Sequence, residues 1–270
     1  MDYRVSGFTT AAVAAALLSA FIVPIGLFWY LHKKKGVAGK PFLIGWLALL
    51  LAVMVLEQLF HSLVFSSPIG AFLQGNLYLY ALYGGIAAGL FEEVARYIAF
   101  RRFLKDQMED DRTALMYGAG HGGSEMFNLL ATTMASNLVL IVTLNSQGIS
   151  VMTEGLSGDA LASVMNAVQT LCSTPAWMFL VSIVERLFAI VIHLSLSVLV
   201  FYAVKNPARD RKLLMLAVEL HAAVDFISVI AASLLPALVT ELIVGVCAAF
   251  CAWFAHRIWV QNHQLDAEAQ

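Results

Sequence analysis

Charge is scarce in this 270-residue chain: Asp, Glu, Lys and Arg make up only 13% of it, against 60% apolar residues and a mean hydropathy of +0.80. That scarcity excludes an ordinary soluble domain, in which about a quarter of the residues are charged. Six prolines and 18 glycines are too few for a collagen-like or disordered chain. A net charge of −2 provides no cationic footprint, so nucleic acid is not an expected partner. The three cysteines, Cys172, Cys247 and Cys251, are an odd number and form no CxxC. They indicate neither a disulfide framework nor a thiolate zinc site, and read as small buried hydrophobes. Internal repeats, nucleotide-binding loops and low-complexity tracts are also missing.

Long apolar runs are what the chain has instead. A hydrocarbon core of ~30 Å needs about 20 apolar residues per helix. Runs over 8–31, 42–64, 77–100, 113–144, 175–204, 213–235 and 237–258 meet that length. They predict an all-α polytopic membrane protein, a bundle of about seven transmembrane helices forming one transmembrane domain over 1–270. The first run is expected to stay as an anchor and not be cleaved, because Lys33, Lys34 and Lys35 follow it instead of preceding it. Apart from Arg4, Arg96 and Arg186, every Lys and Arg falls in segments 32–41, 101–112 and 205–212 or is Arg257. The alternate loops 65–76 and 145–174 carry none. Positive charge marks the cytoplasmic side, so the N-terminus is expected outside and the C-terminus in the cytoplasm of a bacterial plasma membrane. Within the long outer loop, Leu161, Val164, Met165, Val168 and Leu171 recur at helical spacing opposite Ser163, Asn166 and Gln169. This predicts an amphipathic helix over 158–172 on the outer surface. The polar tail beyond Arg257 is expected to fray. Tryptophans Trp29, Trp46, Trp177, Trp253 and Trp259 mostly lie near span ends, as interfacial belts do.

Ionisable residues inside these runs cost about 2.5–3.5 kcal/mol each on insertion scales, so their number demands compensation or function. The third run carries Glu92, Glu93 and Arg96, the fourth His121 and Glu125, the fifth Glu185, Arg186 and His193, and the sixth Glu219, His221 and Asp225. The second adds Glu57 and His61. At 1.5 Å per residue, counted from the nearest basic residue, Glu92, Glu93, His121 and His221 all lie ~12–14 Å below the cytoplasmic surface. Glu125 and Asp225 follow one turn deeper on the same faces as their histidines. Glycines 84, 85 and 89 would let neighbouring helices approach. Glycines 118, 120, 122 and 123 around His121 suggest a weakened helix beside a cavity. Glu57 with His61, Glu185 with Arg186, and Glu219 read as structural or cavity-lining.

The sequence Glu92-Glu93-Val94-Ala95-Arg96 resembles the EExxR signature of YhfC-type intramembrane proteases, relatives of the CAAX-processing and bacteriocin-processing (CPBP) proteases and of PrsW. His121-Gly122-Gly123-Ser124-Glu125 resembles their HxxxE motif, His193 their isolated histidine, and His221-Ala222-Ala223-Val224-Asp225 their HxxxD motif. The likeness covers about 84–226, one motif per helix in the family's order. No FxxxH of the CAAX type precedes His193, Phe188 being five residues away.

The resemblance implies an intramembrane endopeptidase acting on a membrane-embedded or membrane-proximal peptide in the lipid bilayer. Glu92 would activate water, His121 would help hold it, and His221 with Asp225 would polarise the carbonyl. Glu93 stands as the other candidate base, since Arg96 is i+4 from Glu92 and i+3 from Glu93. Arg96, Glu125 and His193 would support these groups. No cofactor is favoured on this pattern, because Arg96 beside the Glu pair is an awkward setting for a cation. A zinc-like divalent metal on His121, Glu125, His221 and Asp225 is the competing mechanism. An ion or solute transporter and a non-catalytic scaffold are the alternatives of other classes. Water is expected to arrive through a cavity opening to the cytoplasm.

Overall fold

The computed structural model describes residues 3–206 and 210–268, and no strand occurs among them. The helical outcome follows from the composition: with no water in hydrocarbon, each backbone N–H and C=O must be satisfied within its own segment. In chain order the helices are α1 (Gly7–Trp29), α2 (Lys40–Leu51), α3 (Gln58–Phe65), α4 (Pro68–Gln74), α5 (Leu77–Ile98) and α6 (Arg112–Met126). They are followed by α7 (Thr132–Gln147), α8 (Ile149–Thr153), α9 (Gly158–Ser173), α10 (Ala176–Lys205), α11 (Asp210–Leu234) and α12 (Ala237–Glu268). Single π-helical turns at Tyr30–Lys34, Ala52–Glu57, Ala99–Phe103 and Phe127–Ala131 extend or join them.

Among the described residues six stretches are long and apolar enough to cross a membrane: Gly7–Lys34, Lys40–Phe65, Arg112–Gln147, Ala176–Lys205, Lys212–Leu234 and Ala237–His263. The protein is thus an all-α polytopic membrane protein. The expected run 77–100 coincides with the 22-residue α5, whose hydropathy is lowered by Glu92, Glu93 and Arg96. The tail differs from expectation. Helix α12 continues past Arg257 because Asn262 is buried, donating to Ile258 O at 2.7 Å and facing Asn206. Of the expected basic segment 205–212, residues 207–209, Arg209 among them, lie outside the described residues.

The chain forms two compact units, one of residues 1–23 and 126–186, the other of 24–125 and 187–270. In the first, Asn145 clasps Val5, accepting from its N and donating to its O, both at 2.9 Å. Phe21 meets Phe127 edge-on at 5.2 Å. Helix α9 covers the segment expected to be amphipathic; Val168 and Leu171 are buried while Ser163, Asn166 and Gln169 are exposed.

The second unit holds every ionisable residue singled out as a site candidate. Helices α5 and α11 pack extensively against each other. Gly85 and Gly89 permit that contact, since a methyl group there would lie 2.4 Å from Ala222 O and 2.7 Å from Val218 O. The glycines around His121 serve the same purpose, contrary to the expected weakened helix. Helix α6 is regular through them, with Gly118 against α10 and Gly120 against α2. A methyl group at Gly120 would lie 2.0 Å from Phe42 O, a backbone atom. Gly120→Ala is therefore expected to lower stability by about 1–3 kcal/mol through overpacking, read as a drop in the thermal midpoint of the purified protein. Gly84→Ala, whose added methyl meets open space, is the control that should leave the midpoint in place.

Three basic segments gather at one end of this unit. Lys40 Nζ donates to Asp106 at 2.9 Å, Arg112 to Lys35 O at 2.7 Å, and Lys205 Nζ to Asp111 at 2.7 Å. Asp111 is buried and also accepts from Tyr202 OH at 2.7 Å, tying the α5–α6 loop to α10.

Candidate active site

Glu92 and Glu93 are neighbours on α5, so their side chains leave the helix about 100° apart and meet different partners. Glu92 turns to α6, where His121 Nε2 donates to its Oε2 at 2.8 Å. Glu93 turns to α11, where His221 Nδ1 donates to its Oε1 at 2.7 Å. Arg96, fully buried, donates from one terminal nitrogen to both oxygens of Glu93 at 2.5 Å. The i+3 pairing prevails over the i+4 one, so Arg96 holds Glu93 and leaves Glu92 to the imidazoles.

His193 comes from α10 and sits centrally. Its ring centroid is 4.8 Å from that of His121 and 5.7 Å from that of His221. Its Nε2 donates to Glu125 Oε2 at 2.5 Å, and its Nδ1 lies 3.2 Å from an Arg96 nitrogen and 3.8 Å from Glu92 Oε2. Glu125 thus bonds across to α10 instead of to His121, its own i−4 neighbour. His221 Nε2 faces Asp225 Oδ2 at 3.7 Å and Glu92 Oε1 at 3.9 Å. All the residues expected on sequence grounds, Glu92, Glu93, Arg96, His121, Glu125, His193, His221 and Asp225, therefore converge from four helices.

The sequence underplayed two features. Tyr117, one turn before His121, stacks on its ring with centroids 5.9 Å apart and lies 6.0 Å from the Arg96 guanidinium. Its position at i−4 from His121 was the available signal. Beside the cluster, His61 bonds Tyr83 OH through Nδ1 at 2.7 Å and approaches Glu57 through Nε2 at 3.2 Å, forming a second polar group on the α2–α3 side. Glu185 and Arg186 bond each other, as a structural pair would.

The donor set can be tested against a divalent metal. Glu92, His121 and His193, all buried, each offer a ligand atom within 4.8 Å of one another. Two imidazoles and a carboxylate are the donors of a catalytic site that keeps one position open. His121 Nδ1 is buried without a hydrogen-bond partner, as are Arg96 Nε, Tyr117 OH and Glu57 Oε2. Such orphaned groups mark a site shaped for something beyond the protein's own atoms. The residues fit a metal through Glu92, His121 and His193, a group that shares only His121 with the set His121, Glu125, His221 and Asp225 expected from the sequence.

Comparisons with known proteins agree with this geometry. The chain is 33% identical over 205 residues to a protein of Bacillus subtilis (strain 168) described as "Uncharacterized membrane protein YhfC", covering 75% of this chain and 77% of that one. No solved structure matches it significantly. The sequence profile of the family described as "YhfC intramembrane metalloprotease" matches residues 19–244, which include every residue of the buried cluster. The chain accordingly belongs to the YhfC intramembrane metalloprotease family.

Proposed function

We propose that this protein hydrolyses a peptide bond of a membrane-embedded or membrane-proximal substrate with water activated at Glu92. The observation that carries the proposal is the convergence of Glu92, His121 and His193 in one buried group.

The roles divide as the hydrogen bonds do. Glu92 Oε1, the oxygen not bonded to His121, accepts the proton of the attacking water as its oxygen bonds to the carbonyl carbon. His221 Nε2, 3.9 Å from that oxygen, is placed to give a proton to the departing nitrogen as the C–N bond breaks. Glu93 orients His221, and Arg96 pins Glu93 so that it does not compete for the same proton. Glu125 fixes the tautomer of His193, leaving Nδ1 as an acceptor 3.2 Å from an Arg96 nitrogen and 3.8 Å from Glu92 Oε2. Asp225 completes the electrostatic support of His221.

Glu92, His121 and His193 would hold a divalent ion such as zinc, which when bound acidifies water and polarises the scissile carbonyl. The family description supports this over the metal-independent chemistry favoured on the sequence. The objection drawn from Arg96 weakens because Glu93 meets its charge and Glu92, Glu125 and Asp225 remain around the histidines; its second terminal nitrogen, 3.2 Å from His193 Nδ1, would have to give way to the ion.

Elemental analysis of protein purified without added chelator is the test. We expect roughly one divalent ion per chain. Chelation should remove it together with cleavage of a reporter bearing a transmembrane segment, and added zinc should restore both. Full cleavage by metal-free protein would leave water activation to Glu92 alone.

A further inference from the structure

Hydrolysis at Glu92 needs water, which the hydrocarbon around the helices excludes. On the side of the basic loops the cluster is closed. Between it and that end lie Phe100, Leu104, Tyr117, Leu196, Phe201 and Ala217, each with no exposed surface and all part of one packed core. This seal also interrupts the continuous polar path a transporter would need. The members of the cluster that meet the exterior are the two farthest from the basic end on their own helices. The Asp225 side chain is 38% exposed and that of Glu125 20%, against 9% or less for Glu92, Glu93, His121, His193 and His221.

Asp225 opens onto a cavity of about 300 Å³ whose walls include His61, Tyr80, Tyr83, Gly84 and Ser228. That space holds on the order of ten water molecules. Its residues run from about one to two turns beyond the catalytic layer, at Asp225 and Gly85, to Phe65, the last residue of α3, and to Tyr80, one turn into α5 from its cap Asn76. It therefore spans from the cluster to the end of the unit where α3 stops and α5 begins, away from Lys40, Arg101 and Lys212. Polar groups recur along it, with His61 bonded to Tyr83 OH at 2.7 Å and, behind them, the buried Glu57, whose Oε2 lacks a partner. Glu57 stands behind the cavity wall, its Oε1 3.2 Å from His61 Nε2, and an orphaned carboxylate oxygen so close to a polar lining group is a water-binding feature. The π-helical turn Ala52–Glu57 ends at this residue. Such turns are found disproportionately at functional sites.

We infer that the catalytic cluster is hydrated from the end of its unit opposite the basic loops, through the cavity between α3, α5 and α11, with His61, Tyr83, Ser228 and Asp225 as its polar rungs. This rests on the proteolytic reading of the cluster, and it reverses the cavity opening towards the basic side that the sequence led us to expect. If the basic loops are cytoplasmic, hydrolytic water enters from the outer face.

The test uses the full chain with Cys172, Cys247 and Cys251 replaced by Ala, carrying one new thiol at a time. Gly84→Cys adds its side chain into open space, and Ser228→Cys changes one atom. Lys105→Cys, exposed in a basic segment, reports that end. Intact cells and inverted membrane vesicles are treated with a permanently charged, membrane-impermeant methanethiosulfonate. We expect Gly84→Cys and Ser228→Cys to react from the face at which Lys105→Cys does not. Reaction from the Lys105 face, or from neither face while a small permeant reagent still reacts, overturns the inference. Gly84→Trp, which fills the cavity, should cut turnover severalfold with membrane abundance and metal content retained; unchanged turnover also overturns it. Labelling needs no catalysis, so a chain that labels as expected but never cleaves keeps the hydration route and sinks the protease reading instead.

Discussion

Glu92→Gln is expected to abolish proteolysis while leaving the protein in the membrane at its normal abundance. Glutamine matches the carboxylate in shape and can still accept from His121 Nε2, so packing at this buried position survives. What is lost is a base able to take a proton, together with an anionic donor for any bound cation. General acid–base groups contribute about 10²–10⁴-fold to rate, and the loss should reach at least that size, measured as cleavage of a transmembrane reporter per unit of inserted enzyme. His121→Ala and His221→Ala should show the same separation of activity from insertion. Unimpaired turnover in all three variants would remove the catalytic assignment, whatever metal the protein holds.

Arg96→Met has the largest expected effect on stability. Arg96 is among the largest fully buried side chains, and the carboxylate it neutralises, Glu93, has no exposed surface. Removing one partner of a buried ion pair leaves an uncompensated charge in a poorly polarisable setting, at a cost of about 3–5 kcal/mol. The expected result is a large drop in thermal midpoint or in folded yield. Arg96→Met combined with Glu93→Gln tests the cause, because neutralising the stranded carboxylate should recover much of the loss. If the double variant is no better than the single one, the cost comes from lost packing over Tyr117 and not from charge.

Much of this architecture was legible beforehand, for reasons that differ by level. Hydropathy is a local sum, so the limits of the six membrane-crossing stretches, and of helix α5 despite its charges, emerged within a few residues. The 3.6-residue period likewise predicted α9 and its buried Val168 and Leu171. Depth could be counted as well, because rise per residue is constant, and the layer holding Glu92, His121 and His221 followed from simple counting. The glycines were harder to read. The same four around His121 are compatible with a loosened helix or a tightly wedged one, and only the approach of Phe42 O, Leu194 and Ile190 distinguishes the two.

By itself, then, the sequence determined an all-helical membrane protein with acids and imidazoles at one level and basic residues at the loop ends, since these depend on composition and on distance along each helix. Tertiary structure alone decided which acid meets which base. The rotation of each helix about its axis, set by glycine contacts between neighbours, turned Glu125 across to His193, gave Arg96 to Glu93 and freed Glu92 for His121. It also decided where the cluster is sealed and where it is open, because a void between helices exists only once their faces are paired, and no single segment encodes it.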